Sequence, residues 1–420
     1  MQREQIAFVG TSDLSGHFRG KSFPVADLAA RLQRGVGLAP SNIFLSAFGP
    51  IQFTSFGTQG EVFLLPDPAT YVMVPFQGST SECFYIGDIR TAEGEPWNFC
   101  PRQVLRRALE RLRAEAGLQL LAAFEQEFTY SGVQESSWQP YSLDAYRRAG
   151  VYGEALLAAL RQAKVIPDSF LAEYGPRQFE VTSAPAVGLR AADAAVVTRE
   201  IAQAVAFRLG QRVSFTPIPT PDGVSNGTHI HWSFLDGDNR PVLHDENRPW
   251  QLSVWGSRFL AGIQHHLPAL CALTAPSIPS YYRLRPNHWA PVRADVAPAD
   301  RGTALRICPV QSSDPLERAR QFNLEFRVAD ATASPYLALA ALVQAGLDGV
   351  REQRSIETGH APPLPTSLPA ALSLLENHPT AADWVGADLL SAYLRFKRAE
   401  VEALTNMDEK EICRRYADAY

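Results

Sequence analysis

Several short stretches of this chain repeat carboxylates, imidazoles and arginines at a spacing of two. Glu125 and Glu127 sit inside LLAAFEQEFTY, residues 120 to 130. A strand puts residues i and i+2 on one face, so both carboxylates point the same way. Like charges that close repel, and a cation between them removes the repulsion. Taken alone, the segment also reads as an edge strand with a solvated face. The same parity co-faces His229 with His231 in NGTHIHWS, and Glu325 with Arg327 in NLEFRVAD. His-x-His serves metals and nucleotide phosphates, yet it is also ordinary half-buried strand. Glu-x-Arg is also a common ion pair. Glu173 and Glu180 bracket the Gly-Pro turn of EYGPRQFE. A turn can fold one back beside the other, although charges around such a turn are often plain surface loop. Arg283, Arg301 and Arg306 offer fixed planar forks that suit carboxylates and phosphates. Each of them singly is also compatible with solvated surface.

As a set, these residues supply hard oxygen donors with one or two imidazoles. Such donors select Mg²⁺ or Mn²⁺ over zinc or copper. Arginines nearby would neutralise phosphates and a carboxylate. Positioning and charge neutralisation of this kind are what phosphoryl transfer needs.

Two motif matches fail on context. GHFRGKS at 16–22 has three residues between its glycines, whereas a phosphate-cradling Walker loop has four. GVSNG at 223–227 fits the pattern of a hydrolase nucleophile elbow, which needs a strand before it and a helix after it. Prolines 217, 219 and 221 precede it and the strand-like THIHWSF comes after it, so Ser225 reads as a loop residue. No GxGxxG opens a helix, so a Rossmann cofactor site is not supported.

The elements that must hold these groups divide the chain in two. Residues 1–97 alternate short apolar strands with turns, as at 5–10, 60–65 and 70–75, and read as a small β-rich domain. A strong helix comes next in RQVLRRALERLRAEAG, with Leu105, Leu109 and Leu112 at helical spacing and Gly117 as its stop. Residues 98–420 then mix strands with amphipathic helices, expected at 191–209, 335–349 and 387–404. The fold class is α+β.

Composition excludes several classes. With 46% hydrophobic residues, 20% charged residues and a net charge of −5, the chain is ordinary globular material without a basic field for nucleic acid. The five cysteines, at 83, 100, 271, 308 and 413, never sit at C-x-x-C spacing, so neither a disulfide framework nor a zinc site is expected. The N-terminus shows no signal-peptide pattern and no apolar run is long enough to span a bilayer. A soluble, cytoplasmic protein without membrane or nucleic-acid partners is the expectation.

Over nearly its whole length the sequence resembles the glutamine synthetase family. The likeness rests on LPDPATYVMVPF at 65–76, CPRQVLRRALERL at 100–112, the Glu125/Glu127 pair, EYGPRQFE, NGTHIHWSF, SYYRLRPNHWAP at 280–291, DRGTALRICP at 300–309 and LEFRVADATASPYLALAALVQAGLDGV at 324–350, all in order. The resemblance implies a small β-grasp-like N-terminal domain, then a catalytic domain built on a curved antiparallel sheet flanked by helices. It implies that Glu127, Glu173 and Glu180 hold one metal, and Glu125, His229 and Glu325 a second. His231 and Ser233 would touch ATP, with Arg306 near its phosphates. Arg283 would grip the glutamate α-carboxylate, and Arg301, Arg306 and Arg327 would neutralise the transferring phosphoryl and the carboxylates. The family's reaction makes a γ-glutamyl phosphate from ATP and glutamate, and an amine then displaces phosphate. A homo-oligomer, a dodecamer of two hexameric rings, is implied as well.

Departures from the family pattern concern the acceptor. The stretch 283–291 lacks the acid that ammonia-using members carry in a flap, and Trp289 is placed at that position. LAPSNIFLSA at 38–47 also lacks an acid where the family has Asp-Gly-Ser-Ser. An indole offers an apolar wall and a π face, which suits an organic amine. The expected relatives are the γ-glutamyl-amine ligases for polyamines, alkylamines or anilides. Trp289 is otherwise a packing residue of a replaced loop. Use of ammonia, or an inactive homologue acting as a sensor or scaffold, are the alternatives. Asn323 stands where many members have Arg, Asp300 precedes Arg301, and Arg177 replaces a glycine in the turn.

Overall fold

The structure, a computed structural model, describes residues 3–76, 78–134, 138–359 and 361–420. Its first strands are β1 (Ile6–Ser12), β2 (Phe18–Pro24), β3 (Val36–Leu38), β4 (Val62–Pro66), β5 (Val72–Val74) and β6 (Glu82–Arg90), with helix α1 (Leu28–Arg34) after the first hairpin. They form one sheet in the order β2-β1-β6-β4-β3, with β5 also on β6. The hairpin β1–β2 is antiparallel and β1 lies parallel to β6. This hairpin, helix and parallel pair of first and last strands is the grasp-like arrangement expected.

Helix α2 (Pro101–Ala116) leads into the larger part of the chain. Proline starts it, where a missing N–H costs nothing, and Gly117 ends it in the left-handed conformation at φ 68°. Arg102 on this helix fastens the first sheet to the rest of the molecule. Its guanidinium donates to Asp67 at 2.9 Å, Asp88 at 3.0 Å and Asp193 at 3.0 Å, and the Tyr336 hydroxyl also donates to Asp193 at 2.8 Å.

The second sheet holds β7 (Gln119–Tyr130), β8 (Pro167–Ala172), β9 (Gln178–Ser183), β10 (Ala186–Val187), β11 (Val213–Ser214), β12 (Thr228–Leu235), β13 (Val296–Pro298), β14 (Leu305–Ile307) and β15 (Leu324–Phe326). Its order is β13-β14-β15-β12-β7-β9-β8, with β10 and β11 also on β7. Every pairing is antiparallel except β13 beside β14. Along β7 burial alternates strictly. Phe124, Gln126 and Phe128 face the core, and Glu125 and Glu127 face a partly open side.

Helices cover the core side. They include α3 (Leu143–Gln162), α4 (Leu189–Arg208), α5 (Val254–Thr274), α6 (Ile278–Arg283) and α8 (Pro335–Arg351), whereas α7 (Pro315–Gln321) has no buried residue and borders a cavity shared with Glu125 and His231. The chain ends with α9 (Leu368–Glu376), α10 (Ala381–Val385), α11 (Ala387–Leu404) and α12 (Glu409–Ala419). Helix α8 is buried around nearly its whole circumference, as its apolar sequence requires. It packs against α5 at a glycine contact: a Cβ on Gly262 would lie 2.3 Å from the Ala345 carbonyl oxygen. Among the described residues no helix is long and apolar enough to cross a membrane.

Candidate active site

Strand register assembles the cluster. Glu127 lies opposite Glu180 across β7 and β9, and Glu125 lies opposite His229 across β7 and β12. His231 lies opposite Glu325 across β12 and β15, and Glu325 lies opposite Arg306 across β15 and β14. Carboxylates from three strands and imidazoles from a fourth therefore meet on one face. Glu173 enters from the loop after β8, where its N–H donates to the Gln178 carbonyl at 2.9 Å.

The distances leave gaps suited to cations. Nδ1 of His229 is 3.2 Å from Glu125 and 3.6 Å from Glu325, and its Nε2 is 3.9 Å from Glu127. Donor atoms of Glu125, His229 and Glu325 lie within 4.8 Å of one another, and so do those of Glu127, Glu180 and His229. Glu173 lines the same cavity but stands outside these two groups. Its Oε1 accepts a 2.6 Å hydrogen bond from Tyr141, and its Oε2 a 3.2 Å bond from the Tyr174 N–H.

His231 shows the need for positive charge most directly. Its Nδ1 sits 2.8 Å from the Asn323 side-chain oxygen, which can only accept, so Nδ1 carries a proton. Its Nε2 is buried, has no hydrogen-bond partner among the described residues and faces Glu125 at 3.1 Å. A lone pair facing a carboxylate is repulsive unless a proton or a metal ion lies between them. Against the cost of its burial, Cys308 and Glu125 hold this imidazole well above its usual pKa. Burial, then Glu125 and Glu127, push Glu180 well above the carboxylate range. Burial and Glu127 also raise Glu173. Glu325 is buried too, yet His229, Arg327 and His231 keep it down at about 2. A divalent ion would relieve the repulsion among carboxylates and imidazoles drawn this close, and this donor set fits Mg²⁺ or Mn²⁺.

The arginines take different positions. Arg283, at the end of α6, is buried and donates to the carbonyls of Val328 and Arg327, both at 2.8 Å. Arg327 pairs with Glu325, and Arg306 reaches the same carboxylate at 2.7 Å. Arg301 is exposed at a cavity wall. Asp300 spends its carboxylate on the Gly302 N–H at 2.8 Å and forms no ion pair with Arg301.

Two cavities meet here. The first, about 490 Å³, is lined by Glu127, Glu173, Glu180, Arg283, Arg301 and Trp289, among others. The second, about 480 Å³, is lined by His231, Ser233, Asn323 and Arg320, among others. Glu125, Asp168 and Thr182 belong to both walls, and Arg306 to neither. Ser233 is buried and its hydroxyl has no partner among the described residues, which leaves it able to donate into the second cavity. Trp289 is 75% exposed and stacks on Tyr174, with centroids 5.7 Å apart and planes 7° from parallel.

Several contributors escaped the sequence reading. Gln178 donates to the Ser225 carbonyl at 2.7 Å and to Asn226 at 2.9 Å, joining the two halves of the first cavity wall. Gly227 donates its N–H to Glu127 at 2.6 Å. A Cβ there would lie 2.7 Å from the Arg283 guanidinium and 2.8 Å from the His229 ring. Both residues lie inside motifs noticed for their charged members, and only the fold shows what they touch. Ser225, rejected as a nucleophile, indeed lies in a loop and donates to the His288 carbonyl at 3.2 Å.

Comparison with known proteins agrees with this geometry. A family model described as the glutamine synthetase catalytic domain matches residues 98–416, and one described as the glutamine synthetase N-terminal domain matches residues 2–97. The γ-glutamylpolyamine synthetase GlnA3 of Streptomyces coelicolor is 31% identical, over 99% of this chain and 93% of that protein. A crystal structure described as a novel glutamine synthase homolog superposes with a TM-score of 0.95 at 40% identity, covering 100% of this chain and 99% of the other. The ADP complex of GmaS gives a TM-score of 0.82 at 26% identity, covering 97% and 95%.

Proposed function

The chain belongs to the glutamine synthetase family, and from that premise we propose that it joins the γ-carboxylate of glutamate to an organic amine, consuming ATP through a γ-glutamyl phosphate. The observation that carries this reading is the meeting of the two cavities at Glu125, beside a cluster whose buried acids and imidazoles call for cations. The second cavity takes ATP, with His231 and Ser233 against it. The first takes glutamate, its α-carboxylate on Arg283. The ADP-bound relative supports the nucleotide, and the relative named as a polyamine synthetase supports an organic acceptor.

Glu127, Glu173 and Glu180 would hold a divalent ion on the glutamate side, and Glu125, His229 and Glu325 one on the nucleotide side. When bound, Mg²⁺ or Mn²⁺ screens and polarises the phosphates so that a carboxylate can approach them. Arg327 and Arg306 fix the Glu325 carboxylate from two directions, which keeps the nucleotide-side ligands in place. Arg301, exposed on the wall and without an ion pair among the described residues, is free to meet the glutamate γ-carboxylate and the transferring phosphoryl. Such preorganised charge lowers a barrier at which several anions converge. The amine then attacks the acyl carbon and phosphate leaves. The reaction belongs in the reducing cytoplasm, where ATP is made and where the five free thiols are compatible. Assembly into paired hexameric rings is part of the same proposal.

Incubating the protein with ATP, glutamate, Mg²⁺ and a panel of amines, with products weighed by mass spectrometry, tests this reading. A γ-glutamyl amide formed faster from an organic amine than from ammonia is expected. Ammonia as the best acceptor would overturn the amine assignment. No phosphate release with any amine would overturn the ligase assignment.

A further inference from the structure

At neutral pH an alkyl amine is an ammonium ion without a lone pair, so the acceptor must lose a proton before it attacks. The first cavity offers few bases for this. Glu125, Glu127, Glu173, Glu180 and His229 make up the cation cluster or border it. Asp168 and His288 remain on the lining. Asp168 lies on β8 where the two cavities join, and imidazole is ordinarily a stronger base than carboxylate.

His288 lies in the loop between α6 and β13, next to Trp289. Its carbonyl is held by Ser225, and among the described residues nothing hydrogen-bonds or ion-pairs its imidazole. The residues on either side are in the left-handed region, Asn287 at φ 68° and Trp289 at φ 55°. Asparagine tolerates this, whereas a bulky tryptophan there is strained. Such strain persists where the surroundings over-determine it, and it concentrates at ligand sites.

Three large aromatic side chains stand beside this imidazole's loop at the mouth of the cavity. Trp289 is 75% exposed, Tyr141 58% and Tyr174 53%. Tyr174 stacks on Trp289, and Tyr141 meets Tyr174 edge-on at 5.2 Å. Tyr141 is itself at φ 56°. Clustered exposed aromatics beside a charged cavity mark a ligand surface, and their π faces attract an organic cation and its hydrocarbon body.

Building on the ligase reading, we propose that Tyr141, Tyr174 and Trp289 hold the organic body of a protonated alkyl amine and that His288 accepts its proton. R–NH₃⁺ gives one proton to His288. The freed lone pair forms the C–N bond to the acyl carbon of γ-glutamyl phosphate. The C–O bond to phosphate breaks, its electron pair leaves with the phosphate, and the proton lost as the amide forms goes to that phosphate.

Hydroxylamine, largely unprotonated at neutral pH, separates the two halves of this proposal. Glutamyl hydroxamate formation needs ATP, glutamate and the acyl phosphate but no base to uncover the nucleophile. In His288→Gln the ratio of alkylamine to hydroxylamine kcat should fall about 100-fold. In Trp289→Ala the KM for the alkylamine should rise about tenfold, with a smaller change in kcat. Alkylamine turnover by His288→Gln within twofold of wild type, or an equal loss with both nucleophiles, would overturn the proton-acceptor role. An unchanged alkylamine KM in Trp289→Ala would overturn the aromatic subsite. If the wild-type protein makes no product even with hydroxylamine, the ligase reading itself has failed, and that outcome is distinct from either of the others.

Discussion

Glu127 is held in the site by contacts from two other segments of the chain. Gly227 donates to it, Gln178 lies 3.4 Å away, and one of its oxygens belongs to the group with Glu180 and His229. Glu127→Ala should lower amine-dependent phosphate release by at least about 100-fold, because a ligand contributes more than the outer contacts that support it. Release within tenfold of wild type would remove Glu127 from the metal site. The same cluster predicts a proton count. Glu173 and Glu180 both hold protons more tightly than usual, so a divalent ion must displace them. Metal affinity should therefore fall as pH is lowered. Titration calorimetry in two buffers of different ionisation enthalpy should show proton release on Mg²⁺ binding. Equal heats in both buffers would contradict it. At this scale the sequence was informative where parity alone decides direction. The pairs 125/127 and 229/231 do share faces. The Tyr141 bond to Glu173 and the Asn323 bond to His231 were not legible, because they join residues 32 and 92 positions apart.

Strands and helices fix how closely these groups approach. Gly227 precedes β12 at a position where an added Cβ would meet Arg283 at 2.7 Å and His229 at 2.8 Å. Gly227→Ala should keep the fold and push both side chains aside, lowering kcat/KM for glutamate roughly 100-fold, since an ångström of misplacement has that order of effect. Unchanged kcat/KM with an unchanged circular dichroism spectrum would show that neither side chain has to sit where it does. Helices α2, α4, α8 and α11 follow from apolar periodicity and their stops, within a few residues of the expected bounds. Helix α5 carries Pro268 inside it, and α3 carries Gly150 and Gly153. Such residues weaken any local helix signal, so packing has to decide. Register was equally hidden, because the partner of each strand lies far away in sequence.

Over the whole molecule, one buried arginine connects the two sheets' territories. Arg102 binds aspartates 67 and 88, which precede it in the chain, and Asp193 on α4. Arg102→Ala would leave Asp193 buried without a cation, while Asp88 keeps Arg106 at 2.8 Å, and should cost about 3–5 kcal/mol. A denaturant midpoint equal to wild type would show that this junction contributes little. The sequence placed the boundary near Trp97 from a change in composition, but not the charged junction across it. The ordered motifs did anticipate the family and its ATP-dependent ligation, and the account built on them stands or falls on acyl phosphate formation. Glutamate labelled with ¹⁸O in its γ-carboxylate, incubated with ATP, Mg²⁺ and an accepted amine, tests it most directly. One labelled oxygen in each inorganic phosphate released is the predicted result, and unlabelled phosphate formed alongside the amide would contradict it.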